Sequence, residues 1–554
     1  MDLLFKKDML RKDKFYLVLL ILIAIIPLLD FFRPGLPITH DGQDHVARIA
    51  NFYQSLLEGN IIPRWAANLN WGFGHPVLMF LYPLPSYIAS FFHFLNLSLV
   101  DSTKIVFGLG FVLSGIFMYL WIRELWGEEA GFVSGLFYMF APYRFVNLYV
   151  RGAIGENLAF VWLPLVCYFA FKSSRKFKWR YVVGGSLSLA ALILSHNALS
   201  LMFLPLIFGY IGYLIYCSKR KLLSTVYYLL STIFGLLLSA FFWFPAFFEG
   251  KYTLRDIVTK NNITGFESFF RLIWSPWSYG GTGSLSVQVG IMQWLGIVSA
   301  PFLIWLFWRK KDKIWLYLLF LFFCFWLAIF LILPGSKTFY LAIPILQKFQ
   351  FVWRFLSLAI FPPAIFIGAL IYLLPRRFKL FTVYCLLFTV LLLNKNYWHP
   401  KDFSYKDESF YSGVYAGTTD TGESSPRWSV RFMERYPVAP MEVIDGKAEI
   451  EVVSRSTTRH VYDIKAGTPT WLVENTLYFP GWDILVDGKV SEIEFQDPAY
   501  RGLMTFNLPA GEYQVEARFR ETKLRLFADV VSLSGLASLL LGGIIMSRYY
   551  NEKT

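Results

Sequence analysis

Charge and cysteine are what this chain has least of. Only 16% of its 554 residues are charged and seven are histidine, against 56% hydrophobic and 19% aromatic. An ordinary soluble fold carries about 25% charged residues, so this balance excludes a conventional globular domain as the whole answer. The net charge of +14 would suit a polyanion, but Lys and Arg fall in short runs between hydrophobic stretches, where they set membrane orientation; no nucleic-acid partner is expected. Cys167, Cys217, Cys324 and Cys385 all lie in apolar stretches, so no disulfide can staple the polar loops. Internal repeats, low-complexity tracts, a Walker-type glycine loop, HExxH and a CxxC pair are also missing, which removes the nucleotide, zincin and dithiol chemistries those motifs perform.

What is abundant is apolar sequence in runs near the length of a bilayer crossing, and the fold expected is a polytopic α-helical membrane protein. The run 15–29 follows Lys6, Lys7, Arg11, Lys12 and Lys14 and lacks a small-residue cleavage site, so it reads as a retained signal anchor with its N-terminus inside. Thirteen apolar segments lie between residues 15 and 547, and the second, 76–97, decides the topology. If it crosses, the basic runs 172–180, 219–221, 309–313 and 376–379 all fall outside, against the positive-inside rule. If it does not, all four are cytoplasmic. Pro76, Pro83 and Pro85 break a helix there, so a juxtamembrane element and about 12 transmembrane helices are expected.

Three units follow: a transmembrane domain 1–394 with a first external loop 33–102, an extracytoplasmic β-rich domain 395–525, and a final span with a short cytoplasmic tail, 526–554. Both termini are then cytoplasmic. Period-2 alternation in 448–453 and 513–519, with Asp487-Gly488 as a hairpin turn, points to a β-sandwich-like unit.

The first external loop opens with His40-Asp41-Gly42-Gln43-Asp44-His45-Val46-Ala47-Arg48. Val46, Ile49, Tyr53, Leu56 and Leu57 recur at helical spacing, which places Asp41 at a helix start, where a carboxylate caps free N–H groups and suits the dipole. Asp41 with His45, and Asp44 with Arg48, stand four apart and can pair; an ordinary cap with an ordinary ion pair is the plain alternative to a catalytic site. The loop continues through Pro63-Arg64-Trp65, Trp71-Gly72-Phe73-Gly74-His75-Pro76 and Tyr82-Pro83-Leu84-Pro85-Ser86-Tyr87, aromatic and glycine-rich groups suited to sugar and phosphate.

On these motifs, with Arg151-Gly152-Ala153 to Glu156, Ser195-His196-Asn197, 349–355 and the 478–482 and 509–513 segments, the chain resembles bacterial membrane domains called 6-pyruvoyl-tetrahydropterin synthase-related, and YfhO-like proteins. In layout these are similar to the GT-C superfamily of polyprenyl-phosphate-dependent glycosyltransferases. The resemblance implies inverting transfer of a sugar from a polyprenyl-phosphate donor to a glycan, lipid or protein acceptor of the cell envelope, at the outer face of the cell membrane. It assigns a general base to Asp41, with Asp44 as rival, and a second acid to Glu156. Substrate contacts fall to His45, Arg48, Arg64, Arg151, His196 and Arg354, with Arg64, Arg151 and Arg354 meeting the lipid phosphate. A divalent ion, Mg or Mn, at Asp41, Asp44 and Glu156 stays open.

Plainer readings stand beside these. Glu156 suits any helix start, Arg354 beside Trp353 suits an interfacial anchor, His196 a satisfied core histidine, and Trp274, Trp277 and Tyr279 an aromatic belt. The rival functions are a lipid-linked sugar transporter or flippase, which needs polar groups through the bilayer midplane, and a non-catalytic envelope-polymer assembly protein.

Overall fold

The computed structural model describes residues 2–260, 263–279 and 285–551. Among them ten helices are long and apolar enough to cross a membrane, from Asp13–Phe32 to Lys523–Met546. The chain is a multi-span membrane protein with a β-sheet unit near its C-terminus.

Two expected spans take another form. The helix Trp179–Ser195 has 17 residues. The 129–143 segment is a helix, Glu128–Met139, that stops because Ala141 is driven to an extended conformation by the ring of Pro142, after which a single turn Pro142–Phe145 resumes.

The doubtful segment 76–97 holds no helix long enough to cross a membrane. It consists of Val77–Phe80 and Leu84–Phe94, split by an extended Leu81. Eleven helical residues rise about 16 Å, half the roughly 30 Å of a hydrocarbon core. Its flanks return to one neighbourhood: Lys104 Nζ donates to the Arg33 carbonyl at 2.8 Å, and the Leu99 N–H to Glu408 Oε1 at 2.6 Å. The face opposite the loops is basic and acidic in pairs, with Arg123 on Asp13 at 2.7 Å and Lys172 on Glu124 at 2.8 Å.

The polar region after 394 is not one β-rich unit. Its first part, 395–440, crosses the membrane domain as an irregular strap: β2 (Phe403–Ser404) pairs with β1 (Leu36–Pro37), and Arg427 N donates to the Tyr252 carbonyl. The sheets begin only at β3 (Met441–Asp445), followed by β4 (Ala448–Arg455), β5 (Arg459–Ala466), β6 (Thr470–Leu477), β7 (Trp482–Val486), β8 (Lys489–Ser491), β9 (Leu503–Leu508) and β10 (Gly511–Phe519). A five-stranded sheet β4-β5-β10-β7-β8 and a three-stranded sheet β3-β6-β9 share one apolar core that includes Tyr462, Leu472, Ile484, Met504, Phe506 and Val515. The β7–β8 turn is the expected one: Val486 pairs with Lys489, and Asp487 and Gly488 both take positive φ.

The β-unit docks on the first loop. Trp65 packs edge-on against the buried Trp482 at 5.4 Å, and Leu477 N donates to the Phe73 carbonyl. Arg64 binds Glu521 at 2.8 Å and Asp529 at 2.6 Å. Arg525 binds Glu249 at 2.8 Å beside them. Arg64 is therefore a fastener between loop, β-unit and last span; the phosphate contact assigned to it is corrected, because two carboxylates already occupy its guanidinium.

Candidate functional site

The helix Gly42–Leu57 forms because its apolar residues fall on one face, with Val46, Ile49 and Phe52 buried. Asp41 precedes it, but its carboxylate makes no capping bond; the expected cap is corrected. Its backbone is held from elsewhere, His40 N donating to the Val150 carbonyl at 3.0 Å and Asp41 N to the Arg151 carbonyl at 2.9 Å. Gly152 makes this approach possible: its φ is +67°, and a Cβ there would lie 2.3 Å from Thr39 Oγ1.

Among the described residues the carboxylate of Asp41 has no hydrogen-bond or ion-pair partner. Burial pushes its pKa up, Arg151 opposes that shift, and Asp44 adds to it.

The two helical pairings expected, Asp41 with His45 and Asp44 with Arg48, are replaced by tertiary partners. Asp44 Oδ1 accepts from the Tyr415 hydroxyl at 2.7 Å. Arg48 is buried, donating to His45 Nδ1 at 3.0 Å, to Thr419 Oγ1 at 3.1 Å and to the Thr419 carbonyl. Burial holds His45 neutral, its pKa well below the usual value, and the Arg48 charge pushes the same way.

The second cluster grows from a π-helical turn, Val146–Arg151, continuing Pro142–Phe145. Tyr143, Asn147 and Arg151 are four apart and all turn to Glu156, which is 1% exposed at the start of the helix Ile154–Arg175. Glu156 Oε1 takes Arg151 Nη2 at 2.8 Å and Arg354 Nε at 3.0 Å. Its Oε2 accepts from the Tyr143 hydroxyl at 2.9 Å and from Asn147 Nδ2 at 3.4 Å. Arg151 also stacks over Trp353, 4.4 Å from the ring centroid.

One carboxylate thus faces two guanidiniums, and the Asp41 carboxylate acts on Arg151 from farther off. With every contact falling on its two carboxylate oxygens, Glu156 could take up the catalytic role expected of it only by releasing one of these partners.

His196 is more than a core histidine. Its Nδ1 accepts from the Leu199 N–H at 3.2 Å as a helix cap, so the proton of the neutral ring sits on Nε2, 3.9 Å from Glu156 Oε1. Burial pushes its pKa down to about 3. Tyr82 stacks on it at 4.9 Å, and the charges of Asp41, Glu156, Arg48 and Arg354 all reach the Tyr82 hydroxyl, whose pKa is raised mainly by burial. Tyr82 thus marks the ground shared by the two clusters.

Of the residues singled out in sequence, Asp41, Asp44, His45, Arg48, Arg151, Glu156, His196 and Arg354 gather here, and Arg64 does not. Tyr143, Asn147, Tyr415 and Thr419 were missed. The four-residue spacing of Tyr143, Asn147 and Arg151 was a usable signal for the first two; no local pattern ties 415 to residue 44 or 419 to residue 48.

Among the described residues no three His, Cys, Asp or Glu side chains are grouped to hold a metal ion. Asp44 is engaged by Tyr415 and Glu156 by its arginines, so the trio offered for Mg or Mn does not fit one.

No protein-family model matches the chain. An uncharacterized protein of Lactococcus lactis subsp. cremoris (strain MG1363) is 25% identical over 276 residues, which are 48% of this chain and 45% of that protein. The chain thus spans about half the length of this curated relative. Among solved structures it is similar to the mycobacterial arabinofuranosyltransferase AftD, with a TM-score of 0.44 and 14% identity over 69% of this chain and 26% of that one. It is also similar to the Archaeoglobus fulgidus oligosaccharyltransferase solved with Zn and sulfate, with a TM-score of 0.42 and 14% identity over 74% of this chain and 58% of that one.

Proposed function

We propose that this protein is a membrane glycosyltransferase of GT-C type that moves a sugar from a polyprenyl-phosphate donor to a cell-envelope acceptor, with inversion. The observation that carries the reading is the partly buried carboxylate of Asp41, without a bonded partner among the described residues, on the same side of the protein as an arginine pair that shares one carboxylate. Kinship with YfhO-like and 6-pyruvoyl-tetrahydropterin synthase-related membrane domains belongs to the same proposal, as do a place in the cell membrane, cytoplasmic termini and an external site and β-unit.

In this reading the acceptor hydroxyl attacks the anomeric carbon as Asp41 takes its proton. The new C–O bond forms while the bond from the anomeric carbon to the phosphate oxygen breaks, and the electron pair leaves with the phosphate. Arg151 and Arg354, set by Glu156, meet the charge that develops there. Burial of Asp41 serves the step, since a general base works best when its pKa approaches the working pH. Asp44, bonded to Tyr415, supports the site but is the poorer base. A divalent ion at Asp41, Asp44 and Glu156 would require two of these acids to abandon their partners, and no step is assigned to it.

Donor-dependent transfer by the full-length protein and by Asp41→Asn tests the reading. A loss of about 10² to 10⁴ in rate is expected for a general base. A loss under about tenfold removes Asp41 from that role.

A further inference from the structure

The strap carries one backbone feature that its sequence gives no reason to expect. Thr419 has φ +62°, left-handed space that a β-branched side chain seldom enters and that glycine would occupy without strain. Its neighbourhood shows what the strain supports. Residues 415–417 are hydrogen-bonded along the turn 68–71, with Tyr415 N donating to the Asn68 carbonyl, Asn70 N to the Gly417 carbonyl and Trp71 N to the Tyr415 carbonyl at 2.7 to 3.0 Å. From that rail Thr419 presents both its hydroxyl and its carbonyl to Arg48.

The partners of Arg48 are His45 Nδ1 and the two Thr419 oxygens, none of which carries a negative charge. The site's other two guanidiniums share Glu156. A cation buried to 6% exposure without a paired carboxylate is costly unless an anion completes its shell. Beside it Tyr415 fixes Asp44, and Gly417 leaves room for that contact, since a Cβ there would lie 2.9 Å from the Tyr415 ring.

We propose that Thr419 and Tyr415 are positioning residues of the site: Thr419 aims Arg48, which no carboxylate among the described residues binds directly, at an anionic group of the substrate, while Tyr415 holds Asp44. The segment that leads into the β-unit thereby completes a site whose other residues come from the membrane domain. The transfer readout below rests on the glycosyltransferase reading; the binding readout does not.

The test uses the full-length protein in detergent, with inorganic phosphate as probe and sodium chloride of equal ionic strength as control. The variants are Thr419→Gly, which removes the hydroxyl and the strain together, Thr419→Val, which removes the hydroxyl but keeps the branching, and Thr419→Ser, which keeps the hydroxyl. Thr419→Gly is expected to melt at or above the wild-type temperature yet lose most of the phosphate-induced rise in melting temperature. Arg48→Gln should lose that rise, and Thr419→Ser should retain it. In transfer, KM for the donor should rise about tenfold in Thr419→Gly and Thr419→Val with kcat changed less, as expected for loss of a hydrogen bond to a charged group.

A wild-type protein that phosphate does not stabilise overturns the proposal. So does a Thr419→Gly or Thr419→Val protein with the full phosphate response and unchanged KM, or a Thr419→Ser protein as impaired as Thr419→Gly. If no donor is turned over by the wild type, the glycosyltransferase reading fails while the phosphate comparison still decides this one.

Discussion

Asp41 and Glu156 are both carboxylates near helix starts, and their surroundings give them opposite work. Among the described residues Asp41 has no fixed partner for its oxygens, and burial raises its pKa, so its reactive, ionised form gains population only as pH climbs through that raised value. The acid limb of kcat/KM should therefore lie above the usual aspartate range of about 4, with activity falling as pH drops, and a pH–rate profile should show that limb vanish in Asp41→Asn. Glu156 is committed to Arg151, Arg354, Tyr143 and Asn147. Glu156→Gln leaves the buried Arg151 and the half-buried Arg354 without their carboxylate, and a loss of about 3 kcal/mol is expected from thermal or denaturant unfolding. Glu156 was legible in sequence as a helix-start acid. Its commitment was not, because Arg354 lies 198 positions away.

The π-helical turn Val146–Arg151 and the loop 39–42 form one unit at the level of elements. A π-turn widens the helix by one residue, and such turns often mark functional sites. Here its last residue, Arg151, offers a side chain to Glu156 and a carbonyl to Asp41 N. Gly152 closes the turn in left-handed conformation against Thr39. Gly152→Ala should cost about 1–3 kcal/mol, through both strain and the clash with Thr39, and should lower transfer by displacing Asp41. A structure of the variant, or the lost activity with the fold retained, checks it. The juxtamembrane helix Leu84–Phe94 was legible because prolines constrain the backbone locally. The π-turn was not, since the register shift answers to what packs on both sides of it.

For the whole molecule the governing question is which groups share a face. The helix Ile154–Arg175 has Glu156 at one end and Arg175 at the other, about 30 Å apart along its axis at about 1.5 Å per residue. Single cysteines at 175 and at 401 should therefore react with an impermeant thiol reagent from opposite sides of sealed vesicles. Reaction from one side only would undo the topology and the proposed mechanism with it. The β-unit is held to this frame by Trp65 and by Arg64 on Glu521 and Asp529. Arg64→Met strands those two acids and should lower stability by about 3 kcal/mol, the low end for a broken buried pair because Glu521 is partly exposed, without shifting the Asp41 limb of the pH profile. A thermal melt and a pH profile of one preparation check both halves.

By itself the sequence determined the membrane class, most of the spans, the broken helix at 76–97, the β-hairpin at Asp487-Gly488 and the polar character of the loop around Asp41. Each is set by local physics: hydrophobic length, proline sterics, positive-φ turn residues and charge that hydrocarbon rejects. Only the tertiary structure decided that Arg64 fastens the β-unit, that Glu156 serves two arginines, and that residues 395–440 lie as a strap whose Tyr415 and Thr419 reach Asp44 and Arg48. Apart from Arg151 with Glu156, those pairings join positions 198 to 465 residues apart, and a guanidinium takes whichever carboxylate or carbonyl the packing brings within reach, which no local pattern encodes.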